Sequence, residues 1–422
     1  MKRLILLSTL TLLLVVLIGG SAFATYARIR SLGNADYYFK DISHIYTNPA
    51  YLGQYTNSVY GELGTYYYWM EEDDTPYDQF LGINYKVYKG LSLGLTLNRV
   101  AYWDVSGLFD EFEVGIPEPI NEFDFMASYD FERLHIGASL YHAGNIREEE
   151  YDYEDTLADP NYTSTSNWEA SSGATALTAG FLFDLNENSN IEAMFKLNFD
   201  RGKYKYDYSN SDGESYFYNL ETDGGNGIEF GARAFFGVIE NFQLVPLFAF
   251  GTESISLKYA DDDTSYSTGD LKMNYFVVGL GGNLKLDKGM VAGGINASQY
   301  KWTDETDRDY PYEYKDWYMP GFNLGVEYDL TKWLVARIGM EKEFGRSESK
   351  YDDLRPPYLY HYVYKSRWTT YEDDFIGAGV GFKFSKFKVD ATFGESKLFE
   401  GGYILSGKQS NMFGTVSAIF EF

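Results

Sequence analysis

The chain has 422 residues, a formal charge of −27 from 35 Lys and Arg against 62 Asp and Glu, 40 tyrosines and no cysteine. The missing thiols exclude a disulfide scaffold, a thiolate metal site and cysteine chemistry. The acidity excludes a nucleic-acid binder, which needs a basic face for phosphates.

Met1–Ala24 reads as a secretory signal peptide. Lys2 and Arg3 form a positive start, Leu4–Ile18 an apolar run, and Ala22-Phe23-Ala24 a small-residue cleavage site. The apolar run is shorter than the roughly 20 residues a membrane-spanning helix needs, which argues against a single anchor. No cysteine follows the site, so a lipoprotein is excluded and the mature chain is expected to start at Thr25. No later stretch is long and apolar enough for a spanning helix.

Residues 25–56 lack strand alternation and form an expected hatch or plug. They contain Asp41-Ile42-Ser43-His44-Ile45-Tyr46-Thr47-Asn48-Pro49-Ala50-Tyr51-Leu52-Gly53. Pro49 fixes its own φ and pushes Asn48 to extended geometry. The Asn48 side chain can bond nearby backbone, so the pair suits a fixed bend.

From residue 57 to 422 the clearest signal is parity. Leu91, Leu93, Leu95 and Leu97 alternate with Ser92, Gly94, Thr96 and Asn98. Leu177, Ala179, Phe181, Phe183 and Leu185 share one face, as do Ile191, Ala193, Phe195, Leu197 and Phe199. Period two over about 10 residues marks strands with one apolar and one polar face. Tight links at Tyr88-Lys89-Gly90, Glu132-Arg133, Asn186–Asn190, Ile239–Asn241, Asp287-Lys288-Gly289, Thr331-Lys332-Trp333 and Ser385-Lys386 alternate with long acidic loops. Those loops are expected at Arg147–Ser172, Lys203–Asn226, Ser254–Asp270, Trp302–Trp317 and Arg346–Glu372. With end strands at Ser58–Met70 and Asn411–Phe422 the count is sixteen. Short turns on one rim and long loops on the other are the plan of an all-β transmembrane antiparallel barrel in the bacterial outer membrane, with a strand count of about 14–16. A β-sandwich would carry loops of similar length at both ends, and a propeller would show a blade motif at a repeat of about 40–50 residues.

The polar parity then faces the lumen: Glu192, Lys196, Glu229, Arg233, Glu327, Arg337, Glu341, Lys388 and Asp390. Such mixed charge can line a wet channel or form an ion-pair ladder that holds a plug. Gly279 and Gly281, then Gly377, Gly379 and Gly381, sit on the same parity, where glycine marks a bend or the close approach of another backbone. Tyrosines such as Tyr66–Tyr68, Tyr204, Tyr206, Tyr312, Tyr314 and Tyr358–Tyr364 (alternate positions) fall near strand ends and outer loops. They read as headgroup girdle residues, as stacking sites for sugars or proteins, or most plainly as strands continuing past the membrane in Tyr-rich hairpins. The acidic runs Glu71–Asp74 and Asp261–Asp263 lack a complete calcium-loop spacing and read as solvated loops.

No cofactor and no metal site is expected. Of the four histidines, His135 and His142 lie on opposite parities of one strand, His44 is in the plug and His361 in an outer loop. No Ser–His pairing with an orienting group stands out, so an enzyme is not expected. At the chain end Met412, Gly414, Val416, Ala418, Phe420 and Phe422 share one face. This resembles the C-terminal signal of outer-membrane barrels, with Phe420 and the terminal Phe422 read by the barrel-assembly machinery.

The hatch residues carry a further resemblance. Asp41, Asn48, Pro49, Ala50 and Leu52, placed just before the first strand, resemble the entry segment of the FadL-like family, the outer-membrane long-chain fatty-acid transporters and their type IX secretion relatives. The resemblance implies that Leu32–Gly53 folds inside the lumen and that hydrophobic or amphipathic small molecules are admitted passively. That family's barrel is usually fourteen-stranded, against sixteen counted here. The expected partners are outer-membrane lipids, the assembly machinery and a hydrophobic small-molecule substrate. A non-transporting barrel serving as secretion-system subunit or surface scaffold is the alternative, and a polar-solute porin a third.

Overall fold

A computed structural model describes residues 26–64, 79–101, 105, 108–109, 112, 114–155, 162–305, 311–353, 360–368, 375–393 and 413–422. The expected leader Met1–Ala24, the Tyr66–Tyr68 cluster, the acidic run Glu71–Asp74 and Tyr358 lie outside the described residues. β1 (Ser58–Gly64), β2 (Phe80–Tyr88), β3 (Leu91–Leu97) and β4 (Phe123–Phe131) open the wall. β5 (Leu134–Asp155), β6 (Tyr162–Asn186), β7 (Ser189–Asn210), β8 (Ser215–Ile239) and β9 (Phe242–Asp261) follow, with β10 (Ser265–Ser267) folded back on the tip of β9. β11 (Leu271–Leu286), β12 (Gly289–Asp304), β13 (Tyr312–Asp329) and β14 (Leu334–Asp353) continue the ring. β15 (Tyr360–Trp368) pairs with the outer end of β14. β16 (Phe375–Phe384), β17 (Phe387–Phe393) and β18 (Phe413–Glu421) complete it.

β18 pairs with β1 from Ser58↔Glu421 to Gly64↔Thr415, so the sheet closes on itself and every neighbour is antiparallel. Sixteen strands form the ring, with β10 and β15 riding outside it. The count agrees with the parity reading and stays above the fourteen usual in the family the hatch resembles. The tight turns fall where expected, and the barrel's two ends, Ser58 and Glu421, meet on that same rim. Side chains on the apolar parity, among them Leu95, Phe125, Leu177, Phe181, Phe248, Ile295 and Ile338, are exposed on the outer face. Closure leaves no unpaired edge, the condition for a sheet to sit in hydrocarbon.

The expected long loops are mostly not loops. β5 and β7 run 22 residues, β6 and β8 run 25, more than twice the ~10 a bilayer requires. The Arg147–Ser172 and Lys203–Asn226 stretches therefore continue as paired strands standing above the membrane. Their outward face becomes polar there, with Lys203 and Glu169 2.8 Å apart across β7 and β6. The inward face there is apolar, so the parity of the wall inverts, and aromatic and Thr residues still favour the ladder. The Asp261–Asp263 run is a turn: the Asp261 carboxylate accepts the Asp263 and Thr264 N–H groups at 2.9 and 2.7 Å.

Candidate functional site: a lumen filled from both ends

The N-terminal segment lies inside the ring on the short-turn side. It is a train of short turns: a helix α1 (Tyr26–Ser31) and 3₁₀ turns at Ala35–Tyr38, Ile42–Ile45 and Pro49–Gln54. Asp41 starts the second turn, accepting the Ser43 N–H at 3.1 Å and the Ser43 hydroxyl at 3.0 Å, while its own N–H donates to His44 Nδ1 at 2.9 Å. Asn48 starts the third, with Pro49 as its first residue and the Ala50 N–H donating to Asn48 Oδ1 at 3.1 Å. The Asn48 amide also donates to the wall carbonyl of Phe181 at 3.1 Å. One side chain thus makes the bend and ties it to β6. Ala50 and Leu52 are fully buried in a cluster with Ile42, Ile45, Tyr51, Tyr60 and Met126.

The wall is shaped to receive this chain. A Cβ at Gly180 would collide with Asn48 Oδ1, one at Gly137 with the Pro49 carbonyl group, and one at Gly339 with the Leu32–Gly33 peptide. Of the glycines singled out by sequence, Gly379 faces the Ser31 side chain, Gly281 the Tyr38 ring, and Gly279 the Leu247 side chain and the Tyr38 hydroxyl. Gly381 differs: its space is taken by the Arg337 guanidinium and the Asp390 carboxylate rather than by another backbone.

Three of the nine lumen charges, Arg233, Glu327 and Glu341, bond the N-terminal segment directly, and Glu192, Arg337 and Asp390 join them through wall pairs. Glu327 Oε2 accepts from Arg28 Nε at 2.7 Å and Arg337 Nε at 2.6 Å, and Arg337 Nη1 donates to Asp390 at 2.5 Å. Arg28 also reaches Asp41 at 3.1 Å. Arg233, paired with Glu192, donates to the backbone carbonyls of Asp36 and Tyr37 at 2.7 and 3.1 Å. Glu341 accepts from Asn34 at 2.6 Å and Asn323 at 3.0 Å, and that Asn323 amide also donates to the Gly33 carbonyl. Lys196 and Glu229 stand apart, paired with each other at 2.8 Å. Apolar burial supplies most of the docking free energy, at roughly 1.5–3 kcal/mol for each fully buried Leu, Ile or Phe. The buried pairs add little net stability but fix the register, because breaking one leaves an uncompensated charge at a cost of about 3–5 kcal/mol.

A second segment enters from the opposite rim. Between β3 and β4, Val105, Leu108, Phe109 and Ile116 pack inward against Ala170, Leu220, Ile255, Leu257 and Leu271. Arg99, at its start, pairs with Asp124 at 2.7 Å and lies 4.1 Å over the Tyr46 ring of the N-terminal segment. Here β7 shifts register against β8 between Phe199 and Lys203, and a Cβ on Gly202 would lie 2.6 Å from the Phe109 ring. The outer half of the inward face is consequently apolar and aromatic, contrary to the polar lumen expected from parity. Tyr204, expected in an outer loop, belongs to it: Trp168, Tyr204, Tyr218 and Tyr259 form a chain of ring contacts 5.2–6.3 Å between centroids. Tyr360, Tyr362 and Tyr364 are exposed on β15.

Beside the start of the second segment lies a chamber of about 250 Å³ in the inward wall, lined by Ala101, Tyr141, Ala174, Ala176 and Met273 together with Lys196, Asn198, Asp200, Glu229 and Glu253. In the sheet Ala174 is the direct cross-strand partner of Asp200, and Met273 that of Glu253. Parity places Asp200 on the polar face but does not single out Arg28, Glu253 or the Val105–Ile116 insertion. A usable signal was present for the insertion: four bulky apolar residues in a stretch without alternation. The histidines are scattered. His135 bridges Asp130 and Asp184 at 2.7 and 3.0 Å on the short-turn rim, His142 meets Thr175, and His361 meets Asp352. Phe420 faces outward beside Val59 and Phe387, and the Phe422 ring stacks on Tyr85 with centroids 6.2 Å apart.

A closed antiparallel ring, apolar outside and occupied within by its own N-terminal segment, defines an outer-membrane β-barrel of the plugged kind. No family model and no curated protein matches the chain. Among solved structures it is similar to the CymD monoaromatic hydrocarbon channel, at 11% identity and a TM-score of 0.41 over 95% of this chain and 99% of that one. The Ralstonia pickettii toluene transporter TbuX is 12% identical with a TM-score of 0.41, over 83% and 99% of the two chains. A Pseudomonas aeruginosa FadL homologue is 10% identical with a TM-score of 0.42, over 96% and 100%.

Proposed function

We propose that the protein is a passive outer-membrane channel for small hydrophobic or amphipathic molecules, with residues 25–56 as its hatch. The observation that carries this reading is the chamber beside the second inserted segment, lined by apolar and polar side chains together, with an outer lumen lined with Leu, Ile, Trp and Tyr side chains. A solute entering from outside meets apolar surface first, then the chamber, and then the hatch. Hatch contacts made through polar anchors on a single chain segment suit an element that shifts as a unit.

The test is conductance and solute entry with the full chain reconstituted in planar bilayers and liposomes. Deleting Leu32–Gly53 while keeping the leader should raise conductance severalfold, and adding Phe109→Ala should raise it further, because the outer segment still narrows the lumen when the hatch is gone. Ethylbenzene should enter liposomes holding the intact protein faster than empty ones. Correctly folded deletion variants with unchanged conductance would sink the hatch reading. The outer hairpins, standing well beyond the bilayer, favour a second reading as a surface scaffold, which gains if no solute crosses.

A further inference from the structure

The polar lining of the chamber carries more negative charge than the chain compensates. Glu229 is fully engaged: it accepts from Lys196 and Asn198 at 2.8 Å and from the Tyr275 hydroxyl at 3.1 Å. That commits Lys196. Asp200 and Glu253 lie side by side on β7 and β9, 4% and 7% exposed, within reach of a hydrogen bond that shares one proton between them, and no ion pair to either occurs among the described residues. Glu253 Oε1 is buried without a hydrogen-bond partner and belongs to a side chain that lines the chamber. Its carboxylate packs over Gly227, where a Cβ would come 3.2 Å from Glu253 Cδ, so the wall holds it in place. A buried carboxylate without a counter-charge is costly unless a proton or a cation compensates it.

We infer that the chamber binds a small organic cation, a protonated amine on a compact apolar body, with Asp200 and Glu253 as its counter-charges. The proposal rests on the channel reading above and names a substrate class for it. The apolar residues beside the two carboxylates decide between kinds of cation. Ala101, Ala174, Ala176 and Met273 offer a bare ion no side-chain oxygen ligands but suit a hydrocarbon body. Among the described residues no group of three or more carboxylates or histidines is close enough to hold a metal ion. The size fits: a cavity of ~150 Å³ takes a benzene ring, and this one, at about 250 Å³, leaves room for a ring with one short substituent.

Benzylammonium and ethylbenzene are the probes, since they differ only in an ammonium group in place of a methyl. Binding to the full-length protein in detergent is followed by calorimetry, and entry into liposomes in parallel. Benzylammonium should bind the native protein more tightly than ethylbenzene. The Asp200→Asn, Glu253→Gln double variant should lose that preference by roughly tenfold or more, the scale of one charge-assisted hydrogen bond. Glu253→Gln alone should lose part of it; it is the variant to read if the double one fails to show a heat-modifiable folded band. Equal binding of the two probes, a preference that survives the substitutions, or displacement of benzylammonium by millimolar K⁺ or Ca²⁺ would each overturn the inference. If ethylbenzene enters liposomes in those cases the channel reading stands. If neither probe enters, both readings fall.

Discussion

Arg28 and Glu327, 299 positions apart in sequence, meet at 2.7 Å inside the barrel and join the N-terminal segment to the wall. The same carboxylate accepts from Arg337, so one Glu links an inserted residue to two neighbouring strands. Both partners are largely buried, at 14% and 12% side-chain exposure. Replacing Glu327 by Gln leaves two guanidinium groups facing a neutral amide. The expected cost is about 3–5 kcal/mol of hatch docking, seen as frequent open bursts in single-channel recordings and faster trypsin cleavage after Arg28. Quiet traces and unchanged cleavage would show that the pair does not hold the segment.

Gly137 tests the fit of the wall independently of charge. Gly137→Val introduces a side chain where the Pro49 carbonyl now lies, while Gly115→Ala serves as control because nothing lies within 4 Å of its added Cβ. Overpacking of this kind costs about 1–3 kcal/mol. The Val variant should still give a heat-modifiable barrel but with conductance raised severalfold, and the control should match the native protein. Equal conductance in all three would mean the segment does not obstruct the path.

The chain end is expected to matter for assembly. The Phe422 N–H donates to the Asn57 carbonyl at 2.9 Å and its ring stacks on Tyr85, so the last residue closes the seam where β18 meets β1 and reaches across β1 to β2. Deleting Phe422, or placing Asp there, should lower the folded barrel recovered in outer-membrane fractions. Native levels after deletion would exclude an assembly role.

Acid should loosen the paired outer ends of β12, β13 and β14. Partial burial would raise the Glu313 carboxyl, but bonds from Lys301, Lys315 and Lys350 hold it at about 2 instead. Because the folded value lies below the usual 4.5, its contribution is present above pH ~4.5 and fades as pH falls toward 2. Intrinsically corrected amide exchange over 312–318 should be flat from pH 7 to 5 and accelerate below 4. In Glu313→Gln it should already be fast at pH 7. Identical exchange in the two proteins would remove the charge cluster as a cause.

Period-two alternation was enough to place the strands, turns and sixteen-membered count, because lipid imposes one rule on every outward residue and each strand repeats it locally. The bend at Asn48-Pro49 was equally legible, since Pro49 restricts its own backbone and that of its predecessor whatever surrounds them. The inward face obeys no such single rule. Glu192 and Glu253 look alike in parity, yet one pairs with Arg233 and the other has no charge partner among the described residues. Which case holds depends on side chains brought across the lumen by closure. The outer hairpins were legible only through their tyrosines: beyond the membrane the outward face of β5–β8 turns polar and the inward face apolar, so the parity that marks the wall inverts there. Sequence alone therefore determined the wall, whose solvent is uniform. Only the tertiary structure decided what fills it, because Arg28 against Glu327 and Phe109 beneath Gly202 are contacts between residues that share no local pattern.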